Sequence, residues 1–192
     1  MSVWITEVGI ALKKLVEATV TCPNKDFIPV SVKCIPTYPE KGVFDSKLPI
    51  VSFFSYNQRF DINRYDPSDV KVVNNGVIHY EKQALPYNLS YQIDFWSEYA
   101  SDRDFMTLKW LSKVPKRSLL EVVDNKGVTR YCNMFMQSSK SSEEKDTLSP
   151  KTIFRQTYTY FIYVEIDENE VVDKNLLQTL DIINNNKKLK GV

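Results

Sequence analysis

Four carboxylates lie close together in the segment YQIDFWSEYASDRD: Asp94, Glu98, Asp102 and Asp104. These residue types serve as general acid–base pairs and as ligands for hard metal ions. However, Asp94 falls within a predicted strand, and Asp104 follows Ser101 in the Ser/Thr-x-x-Asp/Glu pattern of a helix capping box. Acidic residues are favoured at a helix start because they complement its dipole. The sequence therefore favours a structural interpretation of this cluster.

Residues that bind zinc or act as nucleophiles are sparse. The chain has one histidine, His79, and three widely spaced cysteines, Cys22, Cys34 and Cys132. No pair has the CxxC separation of a zinc or redox motif. No G-x-S-x-G elbow marks a serine nucleophile, and no glycine-rich phosphate loop is present. We therefore predict that the chain has no catalytic residue, cofactor or metal and is not an enzyme. We also predict that its three cysteines are free thiols in a reducing compartment.

Aromatic and basic residues follow the carboxylates: Trp96, Tyr99, Lys109, Trp110, Lys113, Lys116 and Arg117. Such a combination is typical of a surface on which nucleic-acid bases stack. The chain is nearly neutral, with 25 basic and 24 acidic residues, so no long-range field would concentrate a polyanion. Core packing with basic residues at a helix end is the favoured interpretation. The alternative is a nucleic-acid-binding module, whose residues would be Trp110, Lys113, Lys116 and Arg117.

A length of 192 residues suits one domain with arms. Hydrophobic residues make up 43% of the chain and charged residues 26%, as in proteins that fold around a core. The start, MSVWITEVGIALKKL, lacks the basic residues and apolar run of a signal peptide. No stretch approaches the ~18 apolar residues of a membrane span. We therefore expect neither signal-peptide export nor membrane insertion.

Hydrophobic periodicity predicts two helices in the main domain. Apolar residues recur at steps of three and four from Trp4 to Val20. The capping pattern at Ser101 starts a second, short helix that ends at Val114-Pro115. Its buried stripe is predicted to be Phe105, Leu108 and Leu111. A further short helix is predicted from Asp173 to Ile183.

Alternation of apolar and polar residues predicts a mainly antiparallel sheet. Strands are predicted in FIPVSVKCIP, LPIVSFFSY, Tyr87–Phe95, both flanks of Asp124–Gly127, and TIFRQTYTYFIYVEID. The last is much longer than the usual strand of roughly five to six residues, so we expect one of its ends to pair outside the domain. The dipeptide Asn75-Gly76 predicts a protruding hairpin.

The predicted fold class is α/β in the broad sense (α+β). A mainly antiparallel sheet is packed by an N-terminal helix and a second short helix, with a protruding hairpin and loop arms. One domain spans residues 1–168, with polar arms at about 57–69 and 138–151, and residues 169–192 form a C-terminal extension. The 138–151 arm is either a solvated loop or a segment that orders on a neighbouring subunit.

Three parts of the chain together resemble the tail terminator and related tail-completion proteins of tailed bacteriophages. They are ITEVGIALKKLVEA with FIPVSVKCIPTYP, then LPIVSFFSYNQRFDINR, then PYNLSYQIDFWSEYASDRDFMTLKWLSKVPKRSLLEV. In that family a strand of the Y-x-I-D type leads into a helix and then into a hairpin through P-x-x-x-L, which Pro115 to Leu119 match here. The resemblance covers roughly residues 3–166.

The resemblance implies a non-catalytic virion protein that forms a ring, commonly sixfold. The ring would cap the tail tube and join the tail to the neck and head. The implied partners are further copies, tail-tube proteins and neck or connector proteins, with DNA passing through the ring without specific binding. The implied location is the virion tail or neck after synthesis in the host cytoplasm, and the alternative is another neck or baseplate component. The predicted interface residues are Arg59, Arg64, Trp96, Lys113, Arg117, Lys140, Glu143, Glu144 and Arg155.

Overall fold

A computed structural model describes residues 5–23, 28–36, 48–66, 70–74, 77–81, 84–124, 127–145 and 152–166. The helices in these ranges are α1 (Ile5–Thr19) and α2 (Ala100–Lys113). The strands are β1 (Thr21–Pro23), β2 (Pro29–Ser31), β3 (Lys33–Ile35), β4 (Ile50–Phe60), β5 (Val70–Asn74), β6 (Val77–Glu81), β7 (Leu85–Ser97), β8 (Arg117–Val123), β9 (Thr129–Lys145) and β10 (Thr152–Ile166).

Six strands form the main sheet in the order β3-β4-β7-β10-β9-β8. All neighbours are antiparallel except β3 and β4, which confirms the predicted class and the mainly antiparallel sheet. The segment FIPVSVKCIP forms two short strands, not the predicted one, because β2 pairs with β1 while β3 pairs with β4. The predicted hairpin is confirmed by the pairing of β5 with β6, although its turn at 75–76 lies outside the described residues.

The main core lies between one face of this sheet and the two helices. Residues at every second position of β7 and β10 point into it, as the alternation predicts. Burying a large apolar side chain stabilises the fold by about 1.5–3 kcal/mol, so this face specifies the strand register. The buried residues of α1 also match the predicted periodicity. The core residues of these three elements are Val8, Ala11, Leu12, Val16, Leu89, Tyr91, Ile93, Phe95, Tyr158, Tyr160, Ile162, Val164 and Ile166.

The buried stripe of α2 differs from the prediction. Met106 and Trp110 are buried, whereas Leu108 is 68% exposed and Leu111 is 40% exposed. The indole N–H of Trp110 donates a buried hydrogen bond to the Tyr160 hydroxyl at 2.7 Å. This bond and the large area of the indole place Trp110, not the leucines, against the sheet.

The predicted capping box is also absent from α2. Tyr99 occupies the N-cap position, and no side chain caps the helix there. Asp104 instead pairs with Arg103 at 2.8 Å. The helix begins at Ala100, so Ser101 lies within its first turn and cannot serve as the cap.

Each of the two predicted arms begins as a strand. β4 continues to Phe60 and pairs with β7, so the first part of the 57–69 arm belongs to the sheet. An irregularity in the ladder between Ser55 and Asn57 lets this polar part continue the strand. Similarly, β9 extends through residues 138–145 and pairs with β10. Residues 67–69 and 146–151 lie outside the described residues.

The longest predicted strand, β10, has strand partners on both sides except near its ends, since Tyr163–Ile166 pair with β7 alone among the described strands. β10 lies between β7 and β9 along most of its length. The β8–β9 ladder ends at the pair Arg117–Phe135, while β9 itself runs on to Lys145. Consequently β9 also presents an edge, past the end of β8. The predicted helix at 173–183 and the rest of the C-terminal extension lie outside the described residues.

Candidate interaction surfaces

Asp94 and Asp104 have separate structural roles. Asp94 is buried in the sheet, and Asp104 is paired on the helix surface. Within the described ranges, no group of three or more histidine, cysteine, aspartate or glutamate residues is arranged to hold a metal ion. No helix in these ranges is long and apolar enough to cross a bilayer. The described chain presents exposed surfaces and sheet edges.

Asp94 is held in a buried polar network on the sheet face opposite the main core. Its Oδ1 accepts hydrogen bonds from Arg155 Nε at 3.0 Å and from the Thr157 hydroxyl at 2.6 Å. Its Oδ2 accepts one from the Gln92 amide at 2.8 Å. The register places Thr157 directly opposite Asp94. A buried carboxylate needs a positive partner and donors of this kind, so the network is structural.

Arg155 joins this network to two residues that were predicted at an interface. Its Nη1 lies 2.8 Å from Glu144 Oε1, and its guanidinium lies 4.5 Å from the Trp96 ring centre. Trp96 is fully buried, and its indole N–H donates to Ser52 Oγ at 2.9 Å. The side chain of Trp96, a predicted contact residue, is therefore enclosed within the protomer. Arg155 and Glu144 are largely engaged internally.

Arg64 ties the turn after β4 to the sheet. It pairs with Asp61 at 2.8 Å and donates to Asn88 Oδ1 at 3.0 Å. Its guanidinium lies 4.7 Å from the Tyr163 ring centre. The hydrogen bond from Arg64, followed by the one from Asn88, lowers the pKa of Asp61 below its ordinary value. This predicted interface residue thus has a clear role within the protomer.

The β9 free edge, residues Gln137–Lys145, is the first exposed sheet edge. Lys140 and Glu143 are exposed on it. In the described part of the chain, β9 here has β10 as its single strand neighbour. Two of the predicted interface residues are therefore accessible on a strand whose outer backbone groups can pair with another chain.

The β4 free edge, residues Ser55–Phe60, lies on the opposite side of the sheet. β3 covers only the first part of β4, from Ile50 to Ser52. Beyond it, β7 is the one strand that pairs with β4 among the described residues. Arg59 is exposed on this edge, and so is Tyr56. Head-to-tail association joins two different surfaces of the protomer, and two edges on opposite sides of one sheet can provide them.

A third surface lies at the end of α2 and the start of β8. Lys113 and Arg117 are exposed there, as predicted for contact residues. The Arg117 guanidinium lies 5.6 Å from the Phe135 ring centre. Trp110 is fully buried, so the stacking residue of the nucleic-acid alternative is not on the surface. The nucleic-acid-binding alternative therefore has no exposed aromatic residue among the four that were predicted for it.

A groove between α1 and β8, the α1–β8 groove, was missed by sequence reasoning. Its volume is about 420 Å³, and its lining includes Ile10, Leu119 and Val123. Those three side chains are 52%, 62% and 47% exposed. The outward-facing apolar residues of β8 were a usable signal, but a groove formed with α1 is visible only once distant segments pack together.

Comparisons with known proteins give fold-level similarity. No protein-family model and no curated protein sequence matches the chain. A sheath/tube terminator of an extracellular contractile injection system, PVC, in its extended state aligns with TM-score 0.46 and 14% identity, over 88% of this chain and 58% of that chain. The tube-terminating cap of the anti-feeding prophage, AFP, aligns with TM-score 0.48 and 12% identity, over 87% of this chain and 57% of that chain.

The present chain thus spans less than two thirds of the length of either protein. At these TM-scores and identities the likeness concerns the fold and carries no functional argument.

Proposed function

We propose that the chain is a structural protomer that assembles head to tail into a ring and terminates the tube of a tail-like particle. The observation that carries the proposal is the pair of free edges on opposite sides of one sheet. A long exposed edge leaves backbone donors and acceptors open to uncontrolled pairing. A closed ring removes this liability because every edge meets its complement. The sequence resemblance to tail terminators supports the same assembly.

The contact in this ring joins the β9 free edge of one copy to the β4 free edge of the next. Glu143 and Arg59 are both exposed, and their charges are opposite. Main-chain hydrogen bonds between added strands provide affinity, while side-chain pairs across the junction set the register. Lys113 and Arg117 precede the start of the β9 free edge and form a second contact surface for a tube or neck protein.

The remaining parts of the proposal follow from the sequence resemblance. They are sixfold symmetry, a location in the tail or neck of a virion, tail-tube and neck or connector partners, and passage of DNA through the ring without specific binding. The role is non-catalytic. A neck or baseplate ring is the alternative placement, and the same protomer contact would serve it.

The oligomeric state of the purified protein tests the ring. We expect a single large oligomer by mass photometry and closed rings by negative-stain microscopy at micromolar protomer concentration. A stable monomer at that concentration would refute the proposal.

A charge exchange tests the contact within the ring. Arg59→Glu and Glu143→Arg each place like charges together, so each should weaken association about tenfold or more, which equals about 1.4 kcal/mol. The double variant restores opposite charges and should recover the ring. Glu17→Arg is the matched control, because Glu17 is exposed on α1 and forms only a loose 3.8 Å pair with Lys13. Rings that survive both single variants would exclude this contact while leaving the ring itself in place.

A further inference from the structure

We propose that residues 173–183 of the same chain dock as a helix in the α1–β8 groove. The inference concerns a surface that the ring contact does not use. Ala11 and Leu120, both buried, form the floor of the groove, and exposed apolar side chains form its walls. Exposed apolar patches of this kind mark surfaces that another element covers. The proposal identifies the covering element as a part of the chain beyond β10.

The groove is open along the outer side of β8. In the described part of the chain, β8 pairs with β9 and with no other strand, so its second edge faces the groove. Leu119 and Val123 project from this strand, and Ile10 projects from α1. Glu121 and Lys14 add charges to a lining that is otherwise mainly apolar. This arrangement suits an amphipathic helix, which lays its apolar face into a groove.

The sequence of residues 173–183, DKNLLQTLDII, has the matching pattern. Its apolar residues at helical spacing are Leu176, Leu177, Leu180 and Ile183. In a helix these share one face, and Gln178 and Asp181 lie away from it, while Asp173 lies at the start of the apolar face, in the first turn. Such a helix is about 16 Å long, which fits beside the roughly 23 Å of the seven-residue strand β8.

The end of β10 places this segment within reach of the groove. Ile162 pairs with Met134, the last pair of the β10–β9 ladder, and Met134 pairs with Ser118 on β8. Ile162 is therefore two strands, or roughly 10 Å, from β8, and β10 continues from there in the same direction as β8. Residues 167–172 span up to about 20 Å when extended. A segment that starts at residue 173 can thus reach the groove of its own protomer.

Hydrogen exchange of the full chain and of a chain ending at Glu168 tests the docking. Removal of the segment should speed exchange of the amides in β8 and the facing turns of α1 about tenfold. Leu177→Lys with Leu180→Lys in the full chain should do the same. The matched control is Gln178→Lys with Thr179→Lys, which alters the polar face and should leave exchange unchanged. Equal exchange in the full and shortened chains would overturn the proposal.

Cross-linking identifies which copy supplies the segment. Val123→Cys with Leu180→Cys is treated with a short bifunctional thiol reagent in a mixture of unlabelled and ¹⁵N-labelled protein. We expect linked peptides of uniform isotope label, because both cysteines belong to one chain. Linked peptides of mixed label would show that the segment comes from a neighbouring copy and would overturn the same-chain assignment. Circular dichroism of each variant checks that the fold is retained. Leu119→Lys changes an exposed residue of the groove wall and should also prevent docking, without any change in the segment. If the shortened chain still forms a normal ring, the docking of the segment and the ring assembly are independent, and the failure of one does not imply the failure of the other.

Discussion

Replacing Asp94 with asparagine should destabilise the fold by about 3–5 kcal/mol. The carboxylate is fully buried and accepts hydrogen bonds from Arg155, Thr157 and Gln92. Each hydrogen bond to a charged group contributes about 1.5–3 kcal/mol. Their simple sum overstates the loss, since neighbouring interactions are not additive and asparagine avoids the cost of burying a charge. The expected loss is still a large part of the 5–15 kcal/mol typical of a folded domain.

Urea unfolding followed by tryptophan fluorescence measures this effect. The Trp96 ring lies beside the Arg155 guanidinium, so its emission reports on the network. Wild type and variants are compared at one protomer concentration, because assembly contributes to apparent stability. Glu144→Gln is the matched control: it removes a second carboxylate 2.8 Å from the same guanidinium, but this one is 36% exposed. Such a pair contributes about 0–1 kcal/mol.

The free energies of unfolding of Asp94→Asn and Glu144→Gln should differ by well over about 0.5 kcal/mol, the usual effect of a surface substitution. A smaller difference would refute the role of the buried carboxylate. A double-mutant cycle with Arg155→Met sharpens the test. Either single variant leaves a buried partner uncompensated, whereas the double variant removes both charges. The double variant should therefore cost clearly less than the sum of the singles. Additive losses would show that Asp94 and Arg155 act independently.

Two further predictions concern buried groups. Trp110→Phe should cost about 1–3 kcal/mol in urea unfolding because the buried Tyr160 hydroxyl loses its donor, and an unchanged midpoint would contradict the bond. Burial raises the pKa of Cys22 and Cys132 to about 11 and that of Tyr91 to about 12. The folded state thus favours the neutral forms of these three side chains. Their contribution to the stability of the fold is present below their ordinary pKa values and is lost as pH rises through 11 to 12. Alkylation of Cys22 and Cys132 at pH 8 should be slow until urea is added, and rapid alkylation of the folded protein would refute their burial. Tyr91→Phe should reduce the loss of stability at alkaline pH, and an unchanged pH profile would refute the contribution of Tyr91.

The strands and the first helix follow from sequence patterns with short-range causes. The two-residue period of β7 and β10 assigns their core faces because successive side chains point to opposite sides of a strand. The three-and-four spacing in α1 likewise identifies Val8, Leu12 and Val16 as buried. These patterns are repeated several times within one element, so they need no knowledge of the partner.

The orientation of α2 illustrates where such patterns fail. Apolar residues at helical spacing occupy two faces of this helix, one with Leu108 and Leu111 and the other with Met106 and Trp110. The sequence does not distinguish these faces. The sheet does, because Tyr160 accepts the indole hydrogen bond and Phe95 packs edge-on at 6.0 Å from the Trp110 ring.

The sequence by itself determined the α+β class, the core faces of the long strands and the scarcity of ligands for catalysis or metal binding. Only the tertiary structure decided that Trp96 and Arg155 are internal, that the polar 57–60 and 138–145 segments are strands, and that free edges lie on β4 and β9. The physical reason is range. Periodicity arises from the geometry of neighbouring residues, whereas burial of a charge, strand pairing and the formation of a groove depend on residues far apart in the chain.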